Sequence, residues 1–335
     1  MNPRTTPLEI GFLLAPELAM LAFGSAVEPY RAANVTSGRE LYRWTFLTDD
    51  GKPLTAGNGI TLTPDRMPDI SDRFDRIFVC GGVNTQLYKP EHTIRWLQHH
   101  AQNGTSIGSV STGAWLLAHA GLLQGQRCTI HWQSIDAFKE AYPDIKADPS
   151  VYVIENNRCT CCGGTGAFDM MAHLIAEDYG DEVVTDVCTW LFHDRIRMST
   201  DVQGIAQHTA LARKSPKLAA AFRVMASHIE DRLTPGEISA RIGVSQRQLE
   251  RLFQRHLQCT PQQKYMDLRL QHSKRLLMET SLPILDVSIA AGFTSQSHFT
   301  KCYRERFNCT PRSERVGNTT PEKTTTAAEP SATAD

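Results

Sequence analysis

The chain has 335 residues, of which 41% are hydrophobic, and 35 Lys and Arg against 36 Asp and Glu leave a formal net charge of −1. This length predicts about two domains, and the composition excludes a disordered or fibrous chain. There is no apolar run of the roughly 18 residues that span a membrane, and no signal peptide is predicted. Nine cysteines at irregular spacing favour a reducing cytoplasm over a disulfide framework.

The first part of the chain alternates short apolar strands with helices. Strands are predicted at residues 8–14, 41–48, 76–79, 106–110 and 128–132, followed by a hairpin of 151–155 and 158–161. Helices are predicted at residues 17–33, 92–102, 114–123 and 134–142, with a longer one that begins at residue 166. This alternation predicts an α/β domain over residues 1–194, with a mostly parallel sheet covered by helices on both faces.

One strand of this domain turns abruptly into a helix at Ser111-Thr112-Gly113. Ligands of open α/β sheets bind at the carboxyl edge, and the free N–H groups of a helix start suit an anion. Gly81 and Gly82 end a neighbouring strand and are expected to bring further N–H groups close. These residues are therefore predicted to form an anion-binding pocket.

Trp115 and Trp132 are the aromatic residues nearest to this pocket in sequence. A tryptophan face binds a desolvated cation with roughly 2 kcal/mol, so the pair could hold the positive end of a zwitterion. The alternative for each ring is packing in the core.

The cluster Cys159, Cys161 and Cys162 has no second Cys/His pair at ligand spacing, so no metal site is predicted. The Gly-rich segment at 163–166 lacks the lysine of a phosphate loop, and the sequence predicts no cofactor.

Residues 195–216 lack strong apolar runs and are predicted to connect the two domains. From residue 216 to residue 317 there are 16 Lys and Arg against 9 Asp and Glu, so this part carries +7 and the remainder −8. A basic end on an acidic body favours nucleic-acid binding by residues 217–317. Residues 318–335 are Thr-, Ala- and Pro-rich and are predicted to be a disordered tail.

The basic part contains two helix-turn-helix patterns joined by a helix at about residues 261–278. In the first pattern Pro235 opens a helix, Gly243 forms the turn and Ser245 caps the second helix. In the second pattern Pro283 opens a helix, the turn spans residues 290–293 and Thr294 or Ser295 is the cap. The apolar positions are expected to face a core, and they comprise Leu249, Leu252, Phe253 and Leu257 in the first pattern and Ile284, Val287, Ile289, Phe299, Tyr303 and Phe307 in the second.

The two patterns resemble the AraC/XylS family of transcription regulators. VSQRQLERLFQRHLQCTP is similar to the family's first recognition helix, and AAGFTSQSHFTKCYRERFNCTP to its signature sequence. The resemblance implies double-stranded operator DNA as the partner. It assigns DNA contacts to Arg247, Glu250, Arg251, Gln296, Ser297, His298 and Lys301.

The first domain resembles the PfpI-like, class I glutamine amidotransferase-like family, which implies a flavodoxin-like fold. RIFVCGG, GSVSTGAWLLAHAGLL and CTIHW match the positions of its acidic loop, nucleophile elbow and histidine strand. Enzymes of that family carry Cys, His and Glu at three catalytic positions. Here Ser111 stands at the elbow, His131 at the histidine position and Ala22 near the position of the acid. A serine without an oriented base is a poor nucleophile, so the resemblance implies a binding pocket that includes His131 and no catalytic site.

The two domains in this order resemble regulators that respond to glycine betaine, carnitine or arginine. The resemblance implies a cytoplasmic homodimer, an activator that contacts RNA polymerase under the control of a small zwitterionic effector. Two alternatives remain open. One is a hydrolase that uses Ser111 and His131 and is fused to a DNA-binding module, and the other is an architectural DNA-binding protein without a ligand.

Overall fold

A computed structural model describes residues 6–203 and 215–319 of the chain. The chain divides into two compact units between residues 209 and 210, which is inside the predicted connector.

The first unit is built on a six-stranded sheet. Its strands in chain order are β1 (Leu8–Leu14), β2 (Tyr42–Leu47), β3 (Leu54–Thr55), β4 (Thr61–Leu62), β5 (Arg76–Cys80), β6 (Ser106–Val110), β7 (Arg127–Cys128), β8 (Lys146–Ala147), β9 (Tyr152–Glu155) and β10 (Arg158–Cys161). The main sheet has the order β2-β1-β5-β6-β10-β9, and all neighbours are parallel except β9 and β10. The short pairs β3-β4 and β7-β8 lie outside it. The predicted mostly parallel sheet is confirmed.

Helices cover this sheet on both faces. They are α1 (Met20–Ser37), α2 (Glu91–Gln102), α3 (Ala114–His119), α4 (Ile135–Ala141), α5 (Gly166–Tyr179) and α6 (Asp181–Trp190). One face packs α1, α5 and α6 against alternate strand residues such as Ile10, Phe12 and Phe78, all of them fully buried. The other face packs α2 and α3 against β6. Alternation of side chains along each strand produces these two layers.

Three predicted elements of this unit end earlier or are divided. The strand predicted at 128–132 stops at Cys128, since Thr129 bonds to side-chain and loop partners, its N–H to Thr160 Oγ1 at 2.9 Å and its hydroxyl to Ser150 O at 2.8 Å. The helix predicted at 114–123 ends at His119, followed by Gly121 in the left-handed region with φ of 70°. Gly180, with φ of 90°, separates α5 from α6, which the sequence pattern did not reveal.

The second unit is helical throughout its described residues. Its helices are α7 (Pro216–Ala226), α8 (Pro235–Arg241), α9 (Gln246–Leu257), α10 (Pro261–Glu279), α11 (Ile284–Ala290), α12 (Gln296–Phe307) and α13 (Pro311–Thr319). Capping boxes start three of them: Thr234 with Glu237, Ser245 with Gln248, and Thr260 with Gln263. Two helix-turn-helix units joined by α10 are therefore confirmed.

The ends of the second unit depart slightly from the prediction. Helix α7 occupies residues that the sequence pattern left without an element, and Leu218 and Met225 bring it into the core of the first helix-turn-helix unit. Helix α13 continues through Thr319, two residues into the segment predicted as a tail. The rest of that segment lies outside the described residues. Among the helices of the described ranges, none has the length and hydropathy required to span a bilayer.

Candidate functional site

Ser111 lies at the turn between β6 and α3. Its φ of 61° is in the left-handed region, which costs a non-glycine residue about 1–2 kcal/mol, and the residue is only 4% exposed. Strain of this kind persists where surrounding contacts impose it. Gly163, after β10, imposes one: a Cβ there would lie 2.6 Å from the Cβ of Ser111. The elbow that the sequence predicted is thus present at the carboxyl edge of the sheet.

Gly81 and Gly82 do not offer free N–H groups, so this expectation is corrected. The Gly81 N–H donates to Val110 O at 3.1 Å, and the Gly82 N–H donates to Thr85 Oγ1 at 2.9 Å. The two glycines permit close backbone packing instead. A Cβ on Gly81 would lie 2.3 Å from the nitrogen of Gly113, and one on Gly82 only 1.7 Å from the carbonyl oxygen of Glu17.

The elbow also offers less to an anion than a long helix start would. Helix α3 has six residues, so its dipole is small. The Thr112 hydroxyl donates to Gly82 O at 2.6 Å and holds the loop after β5. The Ser111 N–H faces the buried Cys161 thiol, whose pKa burial raises and this N–H lowers. Gly113 is itself required by close packing, since a Cβ there would lie 2.1 Å from Val79 O.

The backbone of His131 is hydrogen-bonded to that of Ser111. Its N–H donates to Ser111 O at 3.4 Å, while its Nδ1 accepts from the N–H of Gln133 at 3.4 Å. Within the described part of the chain, no hydrogen bond joins the Ser111 hydroxyl to the imidazole ring. Burial lowers the pKa of His131, so the ring is neutral at pH 7. Ala22, at the position of the family's acid, is buried in the core on α1. The described residues therefore show no base hydrogen-bonded to the Ser111 hydroxyl, the pairing by which a serine nucleophile is activated.

The two tryptophans differ in exposure. Trp115 is 2% exposed and packs edge-on against Phe138 with ring centroids 5.0 Å apart, so its predicted role as a ligand surface is wrong and the ring belongs to the core. Trp132 is 40% exposed, and its ring centroid lies 5.8 Å from that of His131. Trp132 is therefore a partly exposed aromatic ring beside His131.

Burial raises the thiol pKa of several cysteines in this unit. Burial raises the pKa of the Cys162 thiol to about 11 and that of Cys128 to about 12. The pKa of Cys80, which ends β5, is raised by burial as well. Thiols with such values are protonated at neutral pH and react slowly.

In the first helix-turn-helix unit, α9 presents a polar face. Leu249 and Phe253 are fully buried, while Arg247, Glu250 and Arg251 are exposed. This separation of polar and apolar faces leaves the predicted DNA contacts accessible.

Two glutamines of α9 have local partners. Gln248 accepts from the Ser245 N–H at 2.8 Å as part of the helix cap, and Gln246 donates to Glu250 Oε1 at 3.2 Å. The carboxylate of Glu250 is therefore already hydrogen-bonded within its own helix.

In the second helix-turn-helix unit Ser295 is the cap of α12, since its hydroxyl accepts from the His298 N–H at 3.5 Å. Phe299 and Tyr303 are fully buried. All four predicted contacts of this helix are exposed, and three of them line a shallow groove of about 440 Å³. The groove is lined by Gln296, Ser297, Thr300, Lys301 and Arg304.

One apolar position of the second helix-turn-helix unit was predicted on the wrong face of α11. Ile289 was expected in the core but is 49% exposed, as is Leu285 at 51%. Val287 and Ser288 occupy the buried side of α11 instead.

A buried cation in this unit escaped the sequence analysis. Arg269 on α10 is 3% exposed, and its Nε donates to Ala291 O at 2.8 Å while its Nη2 donates to Gly292 O at 2.5 Å. Its guanidinium carbon also lies 4.2 Å from the ring centroid of Phe293. Arg269 thus holds the turn between α11 and α12, where a C-terminal helix end favours a positive charge. The sequence around Arg269 gives no local signal for this role, since its hydrogen-bond partners lie 22 and 23 positions further along the chain.

Two families match separate parts of this architecture. The family described as "Helix-turn-helix domain" matches residues 238–316, and the DJ-1/PfpI family matches residues 25–177. The first range begins within α8 and covers the rest of both helix-turn-helix units, and the second range contains the elbow.

Similar proteins match one or both units. The HTH-type transcriptional regulator GbdR of Pseudomonas aeruginosa (strain UCBPP-PA14) is 41% identical over 311 residues, which cover 93% of this chain and 85% of GbdR. The isonitrile hydratase of Pseudomonas putida is 31% identical over 176 residues, covering 52% of this chain and 73% of the hydratase.

A solved structure is also similar to part of this chain. The crystal structure of an AraC family transcriptional regulator from Pseudomonas putida is 27% identical, covers 55% of this chain and all of its own, and superposes with a TM-score of 0.52. The regulator GbdR matches nearly the whole chain, through both units. The chain therefore belongs to the AraC family of helix-turn-helix transcriptional regulators, in the group whose members carry a DJ-1/PfpI-type domain before the DNA-binding domain.

Proposed function

We propose that this protein is a sequence-specific DNA-binding transcription regulator, controlled by a small zwitterionic metabolite that binds its first unit. The observation that carries the proposal is the pair of capped helices, α9 and α12, whose polar faces are exposed on a part of the chain with +7 charge. Recognition helices of helix-turn-helix proteins enter the major groove with such faces.

The DNA contacts proposed on α9 are Arg247, Glu250 and Arg251. Arginine reads guanine through two hydrogen bonds, and a carboxylate accepts from the amino group of cytosine. On α12 the proposed contacts are Gln296, Ser297, His298 and Lys301. Gln296 suits adenine, while Lys301 suits guanine or a phosphate.

The effector site is proposed at the elbow, with Ser111, Thr112, Gly113, His131 and Trp132 around it. Trp132 would receive the positive end of the effector and the Ser111 hydroxyl its carboxylate, since the Thr112 hydroxyl and the Ser111 N–H are already engaged. Glycine betaine, carnitine and amino acids such as arginine have this chemistry. Gly81 and Gly82 shape the site by close packing and donate nothing to the ligand.

The effector proposal is tested by calorimetric titration of the full chain with glycine betaine, carnitine and arginine. We expect saturable binding of at least one compound, and a loss of that binding on Trp132→Ala. Trp190→Ala, which removes a half-exposed ring elsewhere in the unit, is the control. Binding that survives Trp132→Ala undiminished would place the ligand elsewhere.

The DNA proposal is tested by selecting a duplex from a random library with the full chain. We expect a selected site whose affinity falls in variants of both recognition helices, and selection that returns no enriched sequence would refute the proposal. We further propose that the protein acts as a homodimeric activator in contact with RNA polymerase in the cytoplasm. Sedimentation velocity and a reporter gene test these points, and a monomer or a repressed reporter would contradict them.

We propose that the first unit performs no turnover. The elbow lacks a hydrogen bond between the Ser111 hydroxyl and His131 in the described residues, and Ala22 replaces the acid. The second candidate is a hydrolase that uses Ser111 and His131, and the similarity to isonitrile hydratase is what favours it. Mass spectrometry after prolonged incubation distinguishes them. Conversion beyond one equivalent that disappears in Ser111→Ala would establish the enzyme.

A further inference from the structure

The segment that follows α6, residues 193–203, is tied back onto the first unit. It contains no helix or strand of its own, yet hydrogen bonds hold it on the rest of the unit, and side chains of the segment make them at two places. We call these places the Arg197 anchor and the Gln203 anchor. The next described residue is Ser215, directly before α7, so this segment is the exit of the chain toward the DNA-binding unit.

The Arg197 anchor is centred on a fully buried carboxylate. Asp169 on α5 accepts from the N–H of Arg197 at 2.9 Å and from its Nε at 2.7 Å, and His193 Nε2 lies 3.3 Å from it. The same guanidinium donates from Nη2 to Thr165 Oγ1 at 2.6 Å. A buried carboxylate requires this pairing, since an uncompensated charge in the interior is strongly destabilising.

The Gln203 anchor engages the chain between β7 and β9. The side-chain Nε2 of Gln203 lies 2.7 Å from Thr129 Oγ1 and 2.9 Å from both Ile130 O and Ser150 O. Its backbone N–H donates to Pro149 O at 2.7 Å. Gln203 is 9% exposed, so these bonds are shielded from water.

Both anchors adjoin the two segments that enclose Ser111. Gly163, which touches Ser111, is two residues before Thr165. His131, whose N–H donates to Ser111 O, directly follows Ile130. A displacement of either segment at the elbow therefore moves a hydrogen-bond partner of Arg197 or of Gln203.

We propose that residues 193–203 form a strap that transmits occupancy of the elbow to the DNA-binding unit, with Thr165, Arg197 and Gln203 as its coupling residues. The inference rests on the proposed function, because it assigns the regulation of that same site. An effector shifts the protein between states only through contacts that differ between them, and the two anchors are such contacts. The strap residues act through the elbow and do not touch the ligand.

The principal experiment compares Thr165→Val with Thr165→Ser in the full chain. Valine removes the Thr165 hydroxyl that accepts from Arg197 Nη2 and leaves the Asp169–Arg197 pair intact, whereas serine keeps the hydroxyl. Gln203→Met removes the three side-chain contacts of the second anchor at similar volume and leaves its backbone bond to Pro149 O in place. Operator affinity is measured with and without glycine betaine, and betaine affinity by calorimetry without DNA. Thermal unfolding confirms that each variant folds.

We expect betaine to change operator affinity by roughly 5–150-fold in the unmodified protein, as is typical of coupled sites. This ratio should fall in Thr165→Val and in Gln203→Met and persist in Thr165→Ser, with betaine affinity unchanged in all three. A full ratio in both disrupting variants overturns the strap. A ratio that falls together with calorimetric betaine affinity also overturns it, since these residues would then belong to the ligand site.

A second measurement needs no ligand. Ser111→Leu displaces the elbow directly, and hydrogen exchange of the amides of residues 197–203 should then accelerate, whereas Thr300→Val in the other unit should leave it unchanged. Unaltered exchange in Ser111→Leu overturns the strap whether or not betaine binds. If the unmodified protein does not bind betaine but exchange accelerates in Ser111→Leu, only the effector proposal is contradicted.

Discussion

Substitution of Arg269 tests how the second helix-turn-helix unit is held together. Arg269→Met replaces a buried cation by an uncharged side chain of roughly similar length. The carbonyl oxygens of Ala291 and Gly292 then lose the two guanidinium donors. Substitution also removes the contact at 4.2 Å to the ring of Phe293. Because α12 begins shortly after this turn, we expect both stability and DNA binding to suffer.

The magnitude follows from these contacts. Two hydrogen bonds from a charged donor contribute about 1.5–3 kcal/mol each, and the cation–π contact about 0.5–2 kcal/mol. The opposing term is desolvation of the guanidinium, which is large enough to lower the pKa of Arg269 to about 10. The net loss is therefore about 2–4 kcal/mol, since removal of a buried charge recovers part of its desolvation cost. For a unit of this size that corresponds to a fall in Tm of about 10–20 °C.

The assay is calorimetric unfolding of the full chain, in which the transition of the second unit should move and that of the first should not. Arg255→Met is the matched control, because Arg255 is exposed on α9 and loses the same charge. Arg269→Lys should fall between the two, since an ammonium lacks the planar fork that reaches two carbonyls. A Tm for Arg269→Met within a degree of the control would falsify this account of the turn.

Four further outcomes are expected. Gly82→Ala should abolish folding of the first unit, judged by circular dichroism, because its Cβ would lie 1.7 Å from Glu17 O; a folded variant would contradict the close packing. Glu17→Gly should raise the Tm by relieving a φ of 56° at an acidic residue, and an unchanged or lower Tm would show that the strain is small. Burial lowers the pKa of His119 to about 4. Between about pH 6.5 and 4 the unfolded chain therefore binds more protons than the folded one, and the free energy of unfolding falls as the pH drops. His119→Asn should flatten this pH dependence in urea titrations, and an unaltered dependence would exclude His119 as its source. Arg251→Ala should weaken binding of the selected duplex by about 1–3 kcal/mol, and an unchanged gel-shift titration would remove Arg251 from the interface.

Local signals in the sequence determined the helix-turn-helix units. Thr234, Ser245 and Thr260 each form a capping box with the residue three positions later, so the starts of three helices were encoded within one turn. Gly243, with φ of 66°, forms the turn of the first unit at its expected place. The alternation of strands and helices likewise determined the parallel sheet, since parallel strands require such crossovers.

The ligand pocket was determined only in outline. The sequence predicted the strand that ends at Val110 and the turn at Ser111, because the short strand β6 is followed at once by the start of a helix. Whether Trp115 or Trp132 faces solvent depends on Phe138 and on the rest of the core, which no spacing of aromatic residues reveals. The fate of the Gly81 and Gly82 N–H groups depended in the same way on Val110 and Thr85.

The tertiary structure alone decided the contacts between distant residues. Gln203 bonds to Thr129 across 74 positions, Arg197 to Asp169 across 28, and Arg269 to Ala291 across 22. None of these pairs lies within the three or four residues over which helical and turn patterns operate. These bonds form because burial removes water as a hydrogen-bond partner. Each buried polar group then bonds to whichever neighbour the fold places beside it.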